Sequence, residues 1–169
     1  GLMAATKIRQ KGYTEAAIFA SRHSYFATSQ RVQAFISSCE RLGIETDEKY
    51  ILKGSSTRNG GYEIGKQYAA LKEPPKMIFC DSDAIALGAL RAFHEEGISV
   101  PGDAELLSIG MLDPEAASYY VPSLSVVEMP NKEIGQQVLR LMRKKVLNND
   151  MSSEHVKVHA KLMLRESFS

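Results

Sequence analysis

A doubly wound α/β fold, with a mostly parallel sheet and helices on both faces, is the architecture this sequence predicts. Three observations carry that prediction. Short apolar runs such as "EAAIFAS", "KMIFC" and "AELLSIG" alternate with longer segments whose apolar positions recur every 3.6 residues. Glycine or proline closes most of those longer segments, at Gly12, Gly43, Gly97 and Pro74-Pro75. No internal repeat and no low-complexity linker divides the 169 residues, so one core of ordinary domain size is expected.

Taken in order, Leu2, Ala5 and Ile8 set a first helix that Gly12 stops, and "EAAIFAS" is the first strand. Val32, Phe35, Ile36, Cys39 and Leu42 fall on one face of a second helix, expected over Gln30 to Leu42 and ended by Gly43. "KYILKG" is the second strand. A third helix runs from Gly60 to Leu71, and the Glu73-Pro74-Pro75 break separates it from the strand "KMIFC". Ala84 to Glu96 forms the next helix, and "AELLSIG" and "PSLSVVEM" supply the fourth and fifth strands. Asn131 to Leu147 is a long amphipathic helix with Ile134, Val138, Leu141, Met142 and Val146 along one side, and the tail alternates as a strand does.

Composition narrows the function classes. The apolar share of 44% and the charged share of 24% are those of a folded domain. A net charge of +1 supplies no basic field to follow a phosphate backbone, so this chain is not expected to hold nucleic acid by itself. No apolar stretch long enough to span a membrane and no secretory leader is present, and no membrane partner is expected. Cys39 and Cys80 both fall in apolar patterns, where free buried thiols suit a reducing cytoplasm. The chain starts at Gly1 and runs directly into a helix, as a fragment of a longer protein would.

In open parallel sheets, ligands bind beyond the carboxyl ends of the strands. Here those ends are Ser21 to Thr28, Gly54 to Asn59, Asp81 to Asp83, Gly110 to Asp113 and Met129 to Asn131. The first of them holds no glycine, which argues against a dinucleotide or phosphate loop, and no cofactor is expected. His155 and His159 have a spacing that metal sites use on helices. In the strand expected there they share a polar face with Lys157 and Lys161, so no metal is expected. His23 and Ser24 lie at a strand end, but no carboxylate is tied to them by sequence, and the chain is not read as an enzyme. Of Asp81, Ser82 and Asp83, one caps the following helix, which leaves at least one side chain for a ligand hydroxyl. Arg31 offers a five-donor fork suited to a carboxylate or to paired hydroxyls.

Five segments in register carry a resemblance. "MIFCDSDAIALGALRAFHEEGISVPGDAELLSIG", Arg31-Val-Gln-Ala-Phe35, Pro122-Ser-Leu124-Ser125-Val126, Gly135 in the following helix and "VKVHAKLMLRES" together resemble the effector-binding core of the LacI/GalR family of bacterial transcription regulators. Members of that family share their fold with periplasmic sugar-binding proteins. They join an N-terminal helix-turn-helix domain and a hinge helix to two α/β subdomains that close on an effector. The resemblance implies that residues 1–128 and 151–169 form the C-terminal subdomain, of the type I periplasmic-binding-protein-like kind. Residues 129–150 then form a crossover and a helix that packs on an N-terminal subdomain this chain lacks, as it lacks the DNA-binding headpiece. The helix at 131–147 is therefore expected to be mobile, rearranged or packed on another chain.

The resemblance also implies site residues. Arg31 stands at the family's effector-contacting arginine, Ser82 and Asp83 stand at its Asn/Asp-Asp pair, and Ser21, Ser56, Asp113 and Met129 fall on the same rim. Ser82 is expected to bond a ligand hydroxyl and Asp83 to cap the helix. Leu112 replaces an aspartate that often binds ligand in the family, which removes a strong hydroxyl acceptor. A homodimer is implied through Leu87, Leu90, Arg91, Tyr119 and Tyr120. The implied function is a cytoplasmic repressor core sensing a small molecule: a sugar, sugar phosphate or purine-like compound. Operator DNA would be bound only through the missing domain. The alternatives are a sugar-binding protein of transport or chemotaxis, and a small α/β hydrolase or transferase.

Overall fold

The computed structural model describes residues 1–22, 26–110, 114–147 and 152–169. Six strands form one sheet: β1 (Ala17–Ser21), β2 (Ile51–Gly54), β3 (Met77–Cys80), β4 (Glu105–Gly110), β5 (Ser125–Glu128) and β6 (Lys161–Met163). Their spatial order is β2-β1-β3-β4-β5-β6, parallel throughout except for β6, which runs antiparallel to β5. Phe19 aligns with Cys80, Ile78 with Leu106 and Ser108 with Val126. β1, β3 and β4 are buried along their whole length, as continuous apolar runs covered on both faces require. The mixed α/β class and the mostly parallel sheet are as the sequence predicts.

Two helical layers cover the sheet. On one face, α1 (Leu2–Gln10) and α2 (Phe26–Arg41) bring Ile8, Phe35 and Cys39 onto Ile18, Phe79 and Leu107. The Phe35 and Phe79 rings stack there with centroids 3.9 Å apart. On the other face, α3 (Arg58–Ala69) and α4 (Asp83–Glu96) place Ile64, Tyr68, Ile85 and Phe93 over Phe19, Ile78 and Leu106. α3 and α4 pack backbone to backbone through glycines. A Cβ at Gly61 would overlap Ile85, and one at Gly88 would overlap the Arg58 carbonyl and stand 2.5 Å from the Tyr62 nitrogen. Gly97 ends α4 in the left-handed conformation at φ +73°, which a residue without a Cβ adopts at little cost.

Polar ties close the structure. Lys11 Nζ donates to both Glu105 carboxylate oxygens, at 2.8 and 2.6 Å, and sits 4.7 Å from the Phe168 ring centroid. Ser125 Oγ donates to the Arg165 carbonyl and accepts from the Arg165 N–H, while Ser167 Oγ donates to the Leu106 carbonyl 61 positions away. These bonds fasten the 3-10 turn Glu166–Phe168 against β4 and β5.

Several boundaries depart from the sequence reading. α2 begins at Phe26 rather than Gln30, because its first turn, Phe26-Ala27-Thr28-Ser29, carries no apolar period and leaves Phe26 exposed; Ser29 Oγ donates to the Phe26 carbonyl in that turn. A five-residue helix, α5 (Pro114–Ser118), was not expected. The tail is no strand before Lys161, so His155 and His159 do not share a strand face. The register explains this: Lys161 pairs with Glu128, so a longer ladder would set His159 against Pro130, which has no N–H to give. α6 (Asn131–Leu147) buries no residue; Val138, Met142 and Val146 are exposed, and its partners are Glu154 and the Ser152 carbonyl, reached by Arg140, Lys144 and Lys145. Among the described residues no helix is long and apolar enough to cross a membrane.

Candidate functional site

The chain leaves β1 for the edge strand β2 along one face and returns over the other face to β3, so the connections part in opposite directions beyond the carboxyl ends of β1 and β3. Of the residues the sequence singles out, that crevice holds Ser21, Ser82 and Asp83. Ser21, buried, ends β1. Asp81 follows β3 and is completely buried; its carboxylate accepts the Ser21 N–H at 2.7 Å and the Ser21 hydroxyl at 3.3 Å. The Asp81 N–H in turn donates to the Phe19 carbonyl at 3.0 Å. Burial pushes the Asp81 carboxyl above the usual carboxylate range, while the bonds from Ser21 and Ser82 and the nearby Arg31 charge pull it back.

The cap expected of Asp83 falls to Ser82. Ser82, extended at φ −152°, is the N-cap of α4 and accepts the Ile85 N–H at 3.4 Å. Asp83 is the first helical residue; one of its oxygens accepts the Ala84 N–H at 2.8 Å, and the other lies 3.8 Å from where a Cβ on Gly110 would stand. Both residue types cap well, and the one whose backbone is extended takes the part. Asp83 is thus left on the rim with an oxygen facing the end of β4. Asp81, which the sequence offers with Ser82 and Asp83 as a cap or a ligand contact, instead ties the strand ends. Its only signal in the sequence is that three polar residues follow β3 where a cap needs one.

Arg31 stands on α2 and is partly exposed. At the end of β2, Thr57 caps α3 by accepting the Gly60 N–H at 3.1 Å, the Ser55 and Thr57 hydroxyls lie 2.9 Å apart, and Ser56 is exposed beside them. Arg22 donates to the Lys53 carbonyl at 3.3 Å. Met129 lies beyond β5, two strands from β3, and packs against the core face formed by α1 and α2. Leu112 and Asp113 fall outside the described residues, as do His23 and Ser24. Among the described residues no group of three or more His, Cys, Asp or Glu side chains could hold a metal. The two cysteines are buried and free, and burial raises both thiols, Cys39 to about 12. Hydrogen bonding is the chemistry this rim offers: donors on Arg31, acceptors on Asp83, and hydroxyls on Ser56 and Thr57.

A second surface lies on the outer side of α4. Leu87, Leu90, Arg91 and Tyr120 line a groove of about 660 Å³ with Arg58, His94 and Val121. Tyr119 is 77% exposed beside it and Val121 is 95% exposed. Leu87 and Leu90 also contact the α3–α4 core, so each carries part of its surface inward.

Comparison with known proteins places these features. A family described as a periplasmic binding protein-like domain matches residues 5–168. The HTH-type transcriptional repressor PurR of Mannheimia succiniciproducens is 26% identical over 167 residues, 99% of this chain and 49% of the relative. The chain thus spans about half the length of the curated relatives it matches. A LacI family transcription regulator from Clostridium acetobutylicum superposes with a TM-score of 0.91 at 29% identity, covering 97% of this chain and 61% of that one. A LacI family regulator from Enterococcus faecium, solved with bound ribose, has the same fold, with a TM-score of 0.84 at 20% identity over 99% of this chain and 60% of that one.

Proposed function

The chain belongs to the periplasmic binding protein-like domain family, and from that membership we propose that it is the effector-binding and dimerisation core of a LacI-type transcription repressor. The observation that carries this reading is the switch point between β1 and β3, where Ser21 and Asp83 stand, in a fold shared, over 97% of this chain, with a LacI family regulator 29% identical to it. Residues 1–128 and 151–169 form one subdomain. Residues 129–150 cross to a second, and the apolar stripe of α6 packs there. The effector lies between the two and shifts their closure, which resets the spacing of DNA-binding domains elsewhere in the protein.

The effector is a small hydroxylated molecule, of sugar or sugar-derived type. The ribose held by the Enterococcus faecium regulator supports that class, and so does the hydrogen-bonding character of the rim. Arg31, Asp83, Ser56 and Asp113 supply contacts, Ser21 and Ser82 shape the strand ends, and Leu112 and Met129 add apolar surface. Dimerisation uses the groove of Leu87, Leu90, Arg91 and Tyr120, with Tyr119 and Val121 at its edge. Two buried free thiols favour the reducing cytoplasm over a periplasmic transport role.

The test is thermal unfolding of the full-length protein against sugars, sugar phosphates, nucleosides and purines. A ligand at about 100 times its dissociation constant adds roughly 2.7 kcal/mol of stability. A stabilising compound whose effect is lost in Arg31→Ala is the expected result. A panel that shifts nothing, or shifts Arg31→Ala equally, overturns the reading.

A further inference from the structure

The groove on the outer side of α4 is cationic where it is not apolar. Its lining joins Leu90, Tyr120 and Val121 to Arg58, Arg91 and His94, and it contains no carboxylate among the described residues. His94 stands on α4 four residues after Leu90 and three after Arg91, so the three share one face of the helix. His94, Arg58 and Arg91 are all exposed in the single chain.

The acidic side chains nearby are already engaged. Glu95 accepts from the Arg91 Nε at 2.7 Å and from the Tyr62 hydroxyl at 2.6 Å, and Glu96 is paired with Lys66. Arg58, at the start of α3, makes no ion pair among the described residues. The charged and titratable groups around His94 are Arg91, Glu95 and Glu96 of α4, Arg58, Tyr62 and Lys66 of α3, and Tyr120 of the segment that follows α5. Three cations stand against two carboxylates in that set before His94 takes up a proton.

We infer that His94 is a pH switch in the proposed two-fold contact: neutral, it lets the groove close on a second copy of the chain, and protonated, it adds a positive charge to the groove of Arg58 and Arg91 and weakens the dimer. The inference rests on reading this groove as the dimer interface. A two-fold contact uses one patch twice, so the patch has to carry both a projection and a hollow. Val121, 95% exposed, projects at the edge of the groove that Leu90 lines, which meets that requirement. Histidine is the side chain whose charge changes between about pH 5 and 8. In the single chain water solvates His94 in either form. Once a second copy covers the groove, an imidazolium loses that water, no carboxylate of the lining replaces it, and the arginines repel it. The associated state therefore holds fewer protons than the separated chains, so association is strongest above the histidine range and is lost as pH falls through it.

Sedimentation velocity of the full-length protein over a dilution series, at constant ionic strength, reads the dimer dissociation constant at about pH 7.5 and about pH 5.5. The wild-type constant is expected to rise about tenfold or more between the two, because each dimer has two such histidines to keep neutral. His94→Gln, at an exposed position, is expected to remove most of that rise, and His94→Lys to dimerise at the higher pH as weakly as the wild type does at the lower. A wild-type constant equal at both pH values, or a pH dependence that survives intact in His94→Gln, overturns the inference. Val121→Asp separates the two readings. A dimer it leaves unchanged overturns the interface itself, whereas a dimer it weakens, with the pH dependence still intact in His94→Gln, overturns the switch alone.

Discussion

Gly88 on α4 lies so close to Arg58 on α3 that any side chain on the glycine would overlap the arginine carbonyl. Both helices are held by the sheet beneath them, so neither can retreat without dragging Ile85 or Ile64 out of the core. Gly88→Ala is expected to lower stability by about 3 kcal/mol, the upper range for overpacking. Gly135→Ala on α6 meets nothing within 4 Å and is expected to be neutral, or stabilising by up to about 1 kcal/mol through helix propensity. Urea unfolding of the two variants beside the wild type checks the contrast, and equal effects would contradict the packing described.

Lys11 and Glu105 join the end of α1 to the start of β4 in a pair whose carboxylate side is 8% exposed and whose lysine side is 27% exposed. Lys11→Met leaves the carboxylate without its charged partner. Fully buried pairs lose roughly 3–5 kcal/mol in this way, and the exposure of Lys11 reduces the expected loss here to about 2 kcal/mol. Glu105→Gln added to Lys11→Met is expected to recover a large part of it. A double-mutant cycle on unfolding free energies measures the coupling.

Tyr13 gives that corner a dependence on alkaline pH. Burial first, then the Glu105 charge and a bond to it, push the Tyr13 hydroxyl up to about 12. In the unfolded chain the phenol loses its proton near pH 10. The stability Tyr13 contributes is therefore whole below about pH 10 and drains away as pH rises towards 12. Melting temperatures of wild type and Tyr13→Phe should converge across that window. A constant gap between them would remove Tyr13 from the account.

The groove on α4 makes a prediction about assembly. Val121 is 95% exposed at the edge of a surface that also holds Leu90 and Tyr120. Val121→Asp in the full-length protein places a charge where the proposed two-fold contact excludes water, and self-association is expected to weaken by about a hundredfold, or close to 3 kcal/mol. Sedimentation velocity over a dilution series reads it. An unchanged dimer would move the interface elsewhere.

How much of this is legible in the sequence depends on whether a feature is local. Val32, Phe35 and Cys39 announce the inner face of α2 by their spacing, and all three are buried. Gly97 announces the end of α4 because few other residues adopt its backbone conformation cheaply. Ser82 and Asp83 sit side by side with similar capping ability, so composition cannot assign the cap; backbone angle does. The length of β6 is fixed by Pro130 on another segment, and the bond from Ser21 to Asp81 spans 60 positions. Such relations exist only once the sheet order exists, which is why the tie from Ser21 to Asp81 is not legible in the sequence.

The closing bonds at Ser125, Arg165 and Ser167 have a consequence for biosynthesis. β5 comes off the ribosome with its outer edge unpaired and stays so until residues 161–168, about three dozen positions later, can fold back against it. During that interval the Phe168 slot beside Lys11 stands empty, and an apolar strand edge is open to any neighbouring nascent chain. The long helix and polar return segment that intervene set the length of that exposure.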